Sequence, residues 1–244
     1  MVDRQFSDPE LAALYDVLSA GRADFAFYLP LVMSAPAVLD VGCGTGELLH
    51  QARQKEHPGR LVGLDPGAGM IEQARTRTDI EWVLADLGDA AWDQEFDLAV
   101  MTGHAFQVLL TDDEIGAGLA VIHRALAPAG RFAFETRNPA AQAWLGWTPD
   151  TVREVADADG TVTRMWHEVD ETAAGELVSF TTTFERQGWN GSRQSTSTLR
   201  FLDADVLDAF LAGAGLAIEA RYGDWDRSPF VADSPEIITI ARRI

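Results

Sequence analysis

Cysteine occurs once in the 244 residues, at Cys43, and lysine once, at Lys55. A single thiol excludes a disulfide within the chain and a metal site built from several cysteines. Long apolar runs are also missing: none approaches the roughly 20 residues that a membrane-spanning helix needs. Met1–Glu10 is polar and acidic, without the basic start and apolar stretch of a secretory signal. A cytoplasmic protein without a membrane partner is expected.

Positive charge is scarce too. Thirty-eight Asp and Glu stand against 19 Lys and Arg, a formal net charge of −19. Nucleic-acid binding draws much of its affinity from Lys and Arg on phosphates. No basic cluster is present here, so nucleic acid is not an expected partner. Solubility and weak self-association account for an acidic surface. The hydrophobic fraction, 47%, is that of an ordinary globular protein. A chain of this length can bury roughly 70–75% of the surface it exposes when unfolded, enough for one large α/β domain with a small insertion.

Strands and helices alternate along the first part. Asp8-Pro9 is placed to open a helix that Gly21 closes. A second helix is expected over Ala23 to Met33, bent at Pro30. Strands follow at Ala37–Val41, Arg60–Leu64, Ile80–Ala85, Phe96–Met101 and Arg131–Thr136, with helices near Glu47–Gln54 and Gly69–Arg77 between them. Thr111-Asp112-Asp113-Glu114 reads as a capping box for a helix reaching about Leu126. Such alternation indicates βαβ units and a parallel sheet. After Asn138 the character changes. Val152–Val155, Thr161–Val169, Leu177–Gln187 and Ser195–Phe201 are rich in Thr, Val and aromatics, and are punctuated by the hairpin pairs Asp159-Gly160 and Asn190-Gly191. The α/β pattern then resumes with a helix capped by Asp203 and ending at Gly215, and strands at Leu216–Tyr222 and Ile237–Ala241. One domain over residues 1–244 is expected: N-terminal helices to 36, a core over 37–137, an inserted antiparallel β lobe over 150–201, and a closing helix and strands over 202–244.

The central chemical signal is Val38-Leu39-Asp40-Val41-Gly42-Cys43-Gly44-Thr45-Gly46. A buried strand runs into a turn with three glycines and then a helix, and glycine lets a ligand approach the backbone with no Cβ in the way. Nicotinamide and flavin proteins use a close relative, GxGxxG. Here the spacing is GxGxG, with an acid two positions before the first glycine. Asp65 ends the second strand, where a carboxylate can accept from a ribose diol under either reading.

These residues resemble motif I and the following acidic positions of class I S-adenosylmethionine-dependent methyltransferases. The likeness runs in order from Val38 to Glu135: Gly63-Leu64-Asp65 followed by Met70, Val83-Leu84-Ala85-Asp86, Phe96-Asp97-Leu98-Ala99-Val100, and Leu126-Ala127-Pro128-Ala129-Gly130, with Ala129 where glycine is usual. Leu216–Arg242 looks like the closing strands. The resemblance implies a Rossmann-like doubly wound, mostly parallel sheet with an antiparallel closing strand, and S-adenosylmethionine as cofactor. It implies cofactor contacts from Tyr15, Arg22, Asp40, Gly42, Gly44, Gly46, Asp65, Pro66, Met70, Asp86, Leu87, Thr102 and Phe106. Asp86 would accept from the adenine amino group, and Met70 would pack on adenine. Gly21-Arg22-Ala23-Asp24-Phe25, Gly103-His104-Ala105-Phe106 and Arg137-Asn138 are similar to glycine N-methyltransferase-like enzymes, in which the early arginine pairs with the cofactor's carboxylate. His104 stands where that group commonly carries Asn, which leaves the acceptor open.

The expected reaction is direct displacement onto an N or O nucleophile of a small molecule, with His104 as candidate base, no metal, and a monomer or homodimer. A NAD-dependent oxidoreductase and a non-catalytic cofactor-binding regulator are the alternatives. Thr102-Gly103-His104-Ala105 lacks the motif of base N-methyltransferases, and Cys43, inside the glycine turn, reads as a packing residue. His50, His57 and His123 read as structural or surface residues. His167 and the segment Tyr222-Gly223-Asp224-Trp225-Asp226 are candidates for the acceptor pocket, although Trp225 is equally readable as core.

Overall fold

The computed structural model describes residues 2–157, 159–170 and 175–244. The segment expected as one helix from Pro9 to Gly21 is instead two single turns, α2 (Pro9–Ala12) and α3 (Tyr15–Leu18), and a further turn, α1 (Arg4–Ser7), precedes them. Proline drives the residue before it out of the α region. Asp8 accordingly sits at φ −78°, ψ 117°, ending α1, while its carboxylate accepts from Glu10 N at 3.0 Å to start α2. Gly21, at φ +81°, turns the chain before α4 (Asp24–Ser34), which continues through Pro30.

The core follows as β1 (Ala37–Val41), α5 (Glu47–Gln54), β2 (Arg60–Asp65), α6 (Ala68–Ala74), β3 (Glu81–Leu84), β4 (Phe96–Met101), α7 (Asp112–Ala125) and β5 (Leu126–Arg137). The capping box of α7 is present: Thr111 Oγ1 accepts from Glu114 N at 3.2 Å, and the Glu114 carboxylate accepts from Thr111 N at 2.9 Å. β5 begins five residues earlier than the expected Arg131, because Leu126 already pairs with Phe96 across an irregularity in the register. The lobe comprises β6 (Arg153–Ala156), β7 (Val162–Val169), β8 (Leu177–Arg186) and β9 (Arg193–Arg200), and the chain closes with α8 (Ala204–Gly213), β10 (Leu216–Tyr222) and β11 (Glu236–Arg243). Asp203 occupies the N-cap of α8, but its side chain makes no cap hydrogen bond, contrary to expectation.

Seven strands form one sheet in the order β10-β11-β5-β4-β1-β2-β3, with β11 antiparallel to both its neighbours. Alternate residues face opposite sides. Leu39, Val41, Val62, Leu64, Ala99 and Met101 pack under α7 and α8, whereas Val38, Leu61, Leu98 and Val100 pack under α4 and α5. Burial on both faces explains why these strands read as near-continuous apolar runs. The lobe is a separate antiparallel sheet, β6-β7-β8-β9, whose first and last hairpins turn through Gly160 at φ +79° and Gly191 at φ +92°. The N-terminal turns bridge the two bodies. Gln5 N donates to Ser195 Oγ at 3.0 Å and Ser197 Oγ to Asp3 at 2.6 Å on the lobe side, while Thr45 Oγ1 donates to Asp16 at 2.6 Å on the core side.

Order reverses between β1 and β4, and open α/β sheets bind ligands at the carboxyl ends of strands beside such a switch. The packing there is tight at Gly63: a Cβ would lie 2.5 Å from the Trp82 ring and 2.8 Å from Cys43 Sγ. Gly63→Ala should therefore lower stability by about 1–3 kcal/mol through overpacking, measured as a lower urea midpoint with an unchanged m value. An unaltered midpoint would mean that Trp82 gives way freely.

Candidate active site

The carboxyl ends of β1, β2, β4 and β5 converge on two adjoining cavities. The first, of about 650 Å³, is lined by α3 and the loop to α4, by the glycine turn after β1, and by the exposed side of α5. The second, of about 280 Å³, runs from Asp65, Pro66 and Met70 past His104 to the lobe, where His167, Phe180, Ser197 and Leu199 form a wall. Tyr15, Gly42, Gly44 and Thr102 line both.

The turn between the cavities is held by Asp65. Its carboxylate accepts from Gly44 N at 2.9 Å and from Gly67 N at 2.7 Å, joining the loops after β1 and β2. A Cβ at Gly44 would meet nothing within 4 Å, so the backbone itself is the wall there. Asp40 and Arg22 face the first cavity. The Arg22 guanidinium is bound by Asp24, lies 4.3 Å from the centre of the Phe25 ring, and reaches Tyr15 Oη at 3.4 Å. Asp40 Oδ1 is buried without a hydrogen-bond partner among the described residues. Desolvation, together with Asp65, Glu135 and Asp24 nearby, holds its pKa up at about 7 despite the opposing field of Arg22. The Cys43 thiol is pushed up by burial and stays protonated, as suits a packing residue.

Around His104 the strands supply what local sequence could not reveal. Gly103 and His104 both have positive φ, +68° and +63°, turning the chain sharply after β4. A non-glycine residue in that region costs energy and persists where its surroundings fix it. Glu135 does so: one oxygen accepts from His104 N at 2.8 Å and the other from the Tyr28 hydroxyl. The His104 ring is held separately, with Nε2 3.0 Å from a Glu236 oxygen. Arg137, opposite Glu236 in the β5–β11 ladder, donates to Gln107 Oε1 at 3.1 Å and lies 5.3 Å from the Trp147 ring centre. Glu135, Glu236, Gln107 and Trp147 were not among the expected site residues. Glu135 alone carried a signal, an acid inside the apolar strand Phe132–Thr136.

Four expected residues line neither cavity. Gly46 starts α5 at φ +79° with the Trp82 ring against it. Phe106 is buried in the core, its ring stacked 4.5 Å from that of Phe134. Asp86 is exposed after β3, and Leu87 packs towards Gly118 of α7. The other histidines are structural in part: His57 is buried, Nε2 on Ala35 O at 2.9 Å and Nδ1 accepting from Gly59 N at 3.1 Å, and His50 Nε2 meets Ala74 O at 2.9 Å. Trp225 packs on Phe27 and Tyr28 and belongs to the core. No group of metal-binding side chains occurs among the described residues, and no described helix is long and apolar enough to cross a membrane.

A doubly covered parallel sheet with a glycine turn and an acid at its switch point is the framework of a nucleotide-cofactor enzyme. Residues 38–130 match the family described as "Methyltransferase domain". Over its whole length the chain is 27% identical to the cypemycin N-terminal methyltransferase of Streptomyces sp, matching 100% of each. It is 30% identical to the dTDP-3-amino-3,4,6-trideoxy-alpha-D-glucopyranose N,N-dimethyltransferase of Streptomyces venezuelae, over 87% of this chain and 92% of that one. Among solved structures, the CcbJ methyltransferase of Streptomyces caelestis shares the fold, with TM-score 0.75, 21% identity and 98% of each chain covered. The chain belongs to the class I S-adenosylmethionine-dependent methyltransferases. It is an enzyme with S-adenosylmethionine as cofactor, and nothing supports the oxidoreductase or the non-catalytic alternative. The cavity chemistry fits that cofactor: an orphaned carboxylate oxygen, a backbone cradle without Cβ, and apolar surface at Met70.

A consequence follows for Asp40. The folded protein keeps its proton up to about pH 7, whereas an unfolded carboxylate loses it near pH 4. Between these values the native state binds more protons, so stability falls as pH rises. Asp40→Asn should raise the melting temperature of the cofactor-free protein more at pH 8 than at pH 5. A gain equal at both pH values would show that Asp40 is not held protonated.

Proposed function

We propose that the protein methylates a small-molecule amine, holding S-adenosylmethionine across the two cavities. The observation that carries the amine reading is charge imbalance. Asp40 and Asp65 line the cavities, and Asp24, Glu135 and Glu236 lie near the lining residues Arg22 and His104. Arg22 and Arg137 stand against them, and burial raises the pKa of Asp40, Asp65, Glu135 and Glu236. Such carboxylates await positive charge, and both a sulfonium and an amine acceptor bring it. The two relatives matched over nearly their whole length are each named for methylation at nitrogen, which supports the same reading.

Arg22 and Asp40 are proposed for the amino-acid end of the cofactor, the backbone of Gly42 and Gly44 for its middle, Asp65 for the ribose, and Pro66 and Met70 for adenine. Tyr15 and Thr102 would close over the centre. The cofactor supplies an electrophilic methyl group on sulfur. The protein's part is orientation and exclusion of water: Trp147, Phe180 and Leu199 wall the acceptor side, and Val2, Asp3, Gln5 and Phe6 roof it. His104, on the same wall, is proposed as the base that takes the acceptor's proton. The lobe over 150–201 is thus an acceptor-side wall, within a cytoplasmic monomer or homodimer that does not bind nucleic acid.

Calorimetry should find binding of S-adenosylmethionine and S-adenosylhomocysteine but not NAD. Losing hydrogen bonds to a charged acceptor costs roughly 1.5–3 kcal/mol, so Asp65→Ala should weaken cofactor binding at least about tenfold. Mass spectrometry over a panel of amino sugars, peptide N-termini and hydroxylated compounds should detect added methyl groups on amines. Methylation confined to hydroxyls would overturn the amine reading. With an accepted amine in hand, Trp147→Ala should raise the acceptor KM about tenfold or more and leave cofactor affinity within about twofold, since an aromatic wall covered by the acceptor is worth about a kcal/mol or more. A change in cofactor affinity instead would place Trp147 on the wrong side of the site.

A further inference from the structure

His104 Nε2 lies within hydrogen-bond distance of both carboxylate oxygens of Glu236, at 3.1 and 3.0 Å. Nδ1 makes no hydrogen bond to a described residue, and His104 is part of the lining of the acceptor-side cavity. Glu236 itself does not line that cavity. The imidazole therefore stands between the acceptor space and a carboxylate shielded from it. Glu236 owes this place to strand register: it pairs with Arg137 at the start of β11, on the only strand running against β5 among those flanking the site.

We infer that His104 and Glu236 form a proton relay, in which Nδ1 takes the acceptor's proton while the Nε2 proton passes to Glu236. The inference rests on the amine reading above. As the new carbon–nitrogen bond forms, the carbon–sulfur bond breaks and its electron pair leaves with sulfur. The methylated nitrogen is then cationic. Its proton moves to Nδ1, the Nε2–H bond breaks towards the Glu236 oxygen, and the ring ends as the other neutral tautomer. The balance is one carboxylate and one ammonium converted to one carboxylic acid and one neutral amine. No charged imidazolium has to persist.

That last point matches the surroundings. Burial is the largest influence on His104 and, with Arg137 and Arg22 opposing Glu135 and Asp24, holds the ring's pKa down at about 3. An isolated base of that strength would be useless at neutral pH. Burial likewise lifts Glu236, with Asp224 and Asp24 adding to it and Arg137 opposing it, to about 8. A proton store near 8 behind a ring that stays neutral is well matched to an amine acceptor. Glu236 is thus a positioning and proton-accepting residue that acts through His104, not a group in contact with substrate.

The test begins with side-chain nitrogen NMR of the S-adenosylhomocysteine complex, with His104 assigned through His104→Gln. The ring should remain neutral from pH 6 to 9.5 and carry its proton on Nε2 at high pH, shifting to Nδ1 as pH falls through the Glu236 titration. Glu236→Gln should abolish the shift. A ring that becomes imidazolium in this range, or a tautomer indifferent to pH, would overturn the relay without need of any variant. With an amine acceptor, Glu236→Gln should lower kcat about tenfold or more above pH 8, where Glu236 is ionised, and remove the acidic limb of the kcat–pH profile, and Glu236→Asp should restore the limb. If His104→Gln is impaired but Glu236→Gln keeps the wild-type profile, the relay fails while the base assignment stands. If His104→Gln is fully active, the base assignment in the proposed function fails with it.

Discussion

The Asp65 carboxylate joins the loop after β1 to the loop after β2 by two backbone hydrogen bonds, and both cavities share the turn it fixes. Without it, Gly44 would have no reason to present bare backbone to the ligand space. The bond is strong because its acceptor is a largely desolvated carboxylate. It is also confining, since each oxygen retains only part of its accepting capacity for a ligand. The same side chain is the one proposed for the cofactor's ribose, so on that reading a change at Asp65 acts on both recognition and loop architecture.

Around this fixed turn the site is an excess of buried acid held together by backbone and cation contacts. Asp24 binds Arg22, Glu135 takes the His104 amide and the Tyr28 hydroxyl, and Asp40 keeps an oxygen with no partner. Burying unpaired carboxylates costs stability. On the reading proposed above, that cost falls on the ligand-free protein and is relieved when a cation enters. The strained turn at Gly103-His104 belongs to the same economy, because its conformation is imposed by Glu135 from the neighbouring strand.

The lobe and the N-terminal turns complete the enclosure in a different way. They contribute aromatic and hydroxyl surface, including Phe180 and Ser197, and are tied to one another by short polar contacts. On the reading proposed above, the lobe carries acceptor specificity and the glycine turn with its Asp65 brace carries the cofactor, as where function sits on surfaces grafted onto a fold.

Much of the core was legible because its causes are local. Phe96–Met101 and Glu47–Gln54 fall where the apolar pattern puts them, and Thr111 with Glu114 caps α7 as spacing requires. Asp40, Gly42, Gly44 and Asp65 were visible since a strand, a glycine turn and a second strand lie within thirty residues. Local signals failed in the helix from Pro9, which breaks after Ala12, and at the early start of β5, where register intervened. Phe106 lies in the core and Asp86 at the surface, places that depend on how neighbouring elements pack. Composition and motif order by themselves determined the fold and the cofactor. Only the tertiary structure brought Glu135 and Glu236 to His104, because β11 runs antiparallel beside β5 and delivers its first residue to the edge where the parallel strands end. Residues 31 and 132 positions from His104 meet it there. No pattern read along the chain carries that information, since cross-strand register is set by the whole sheet and not by either strand.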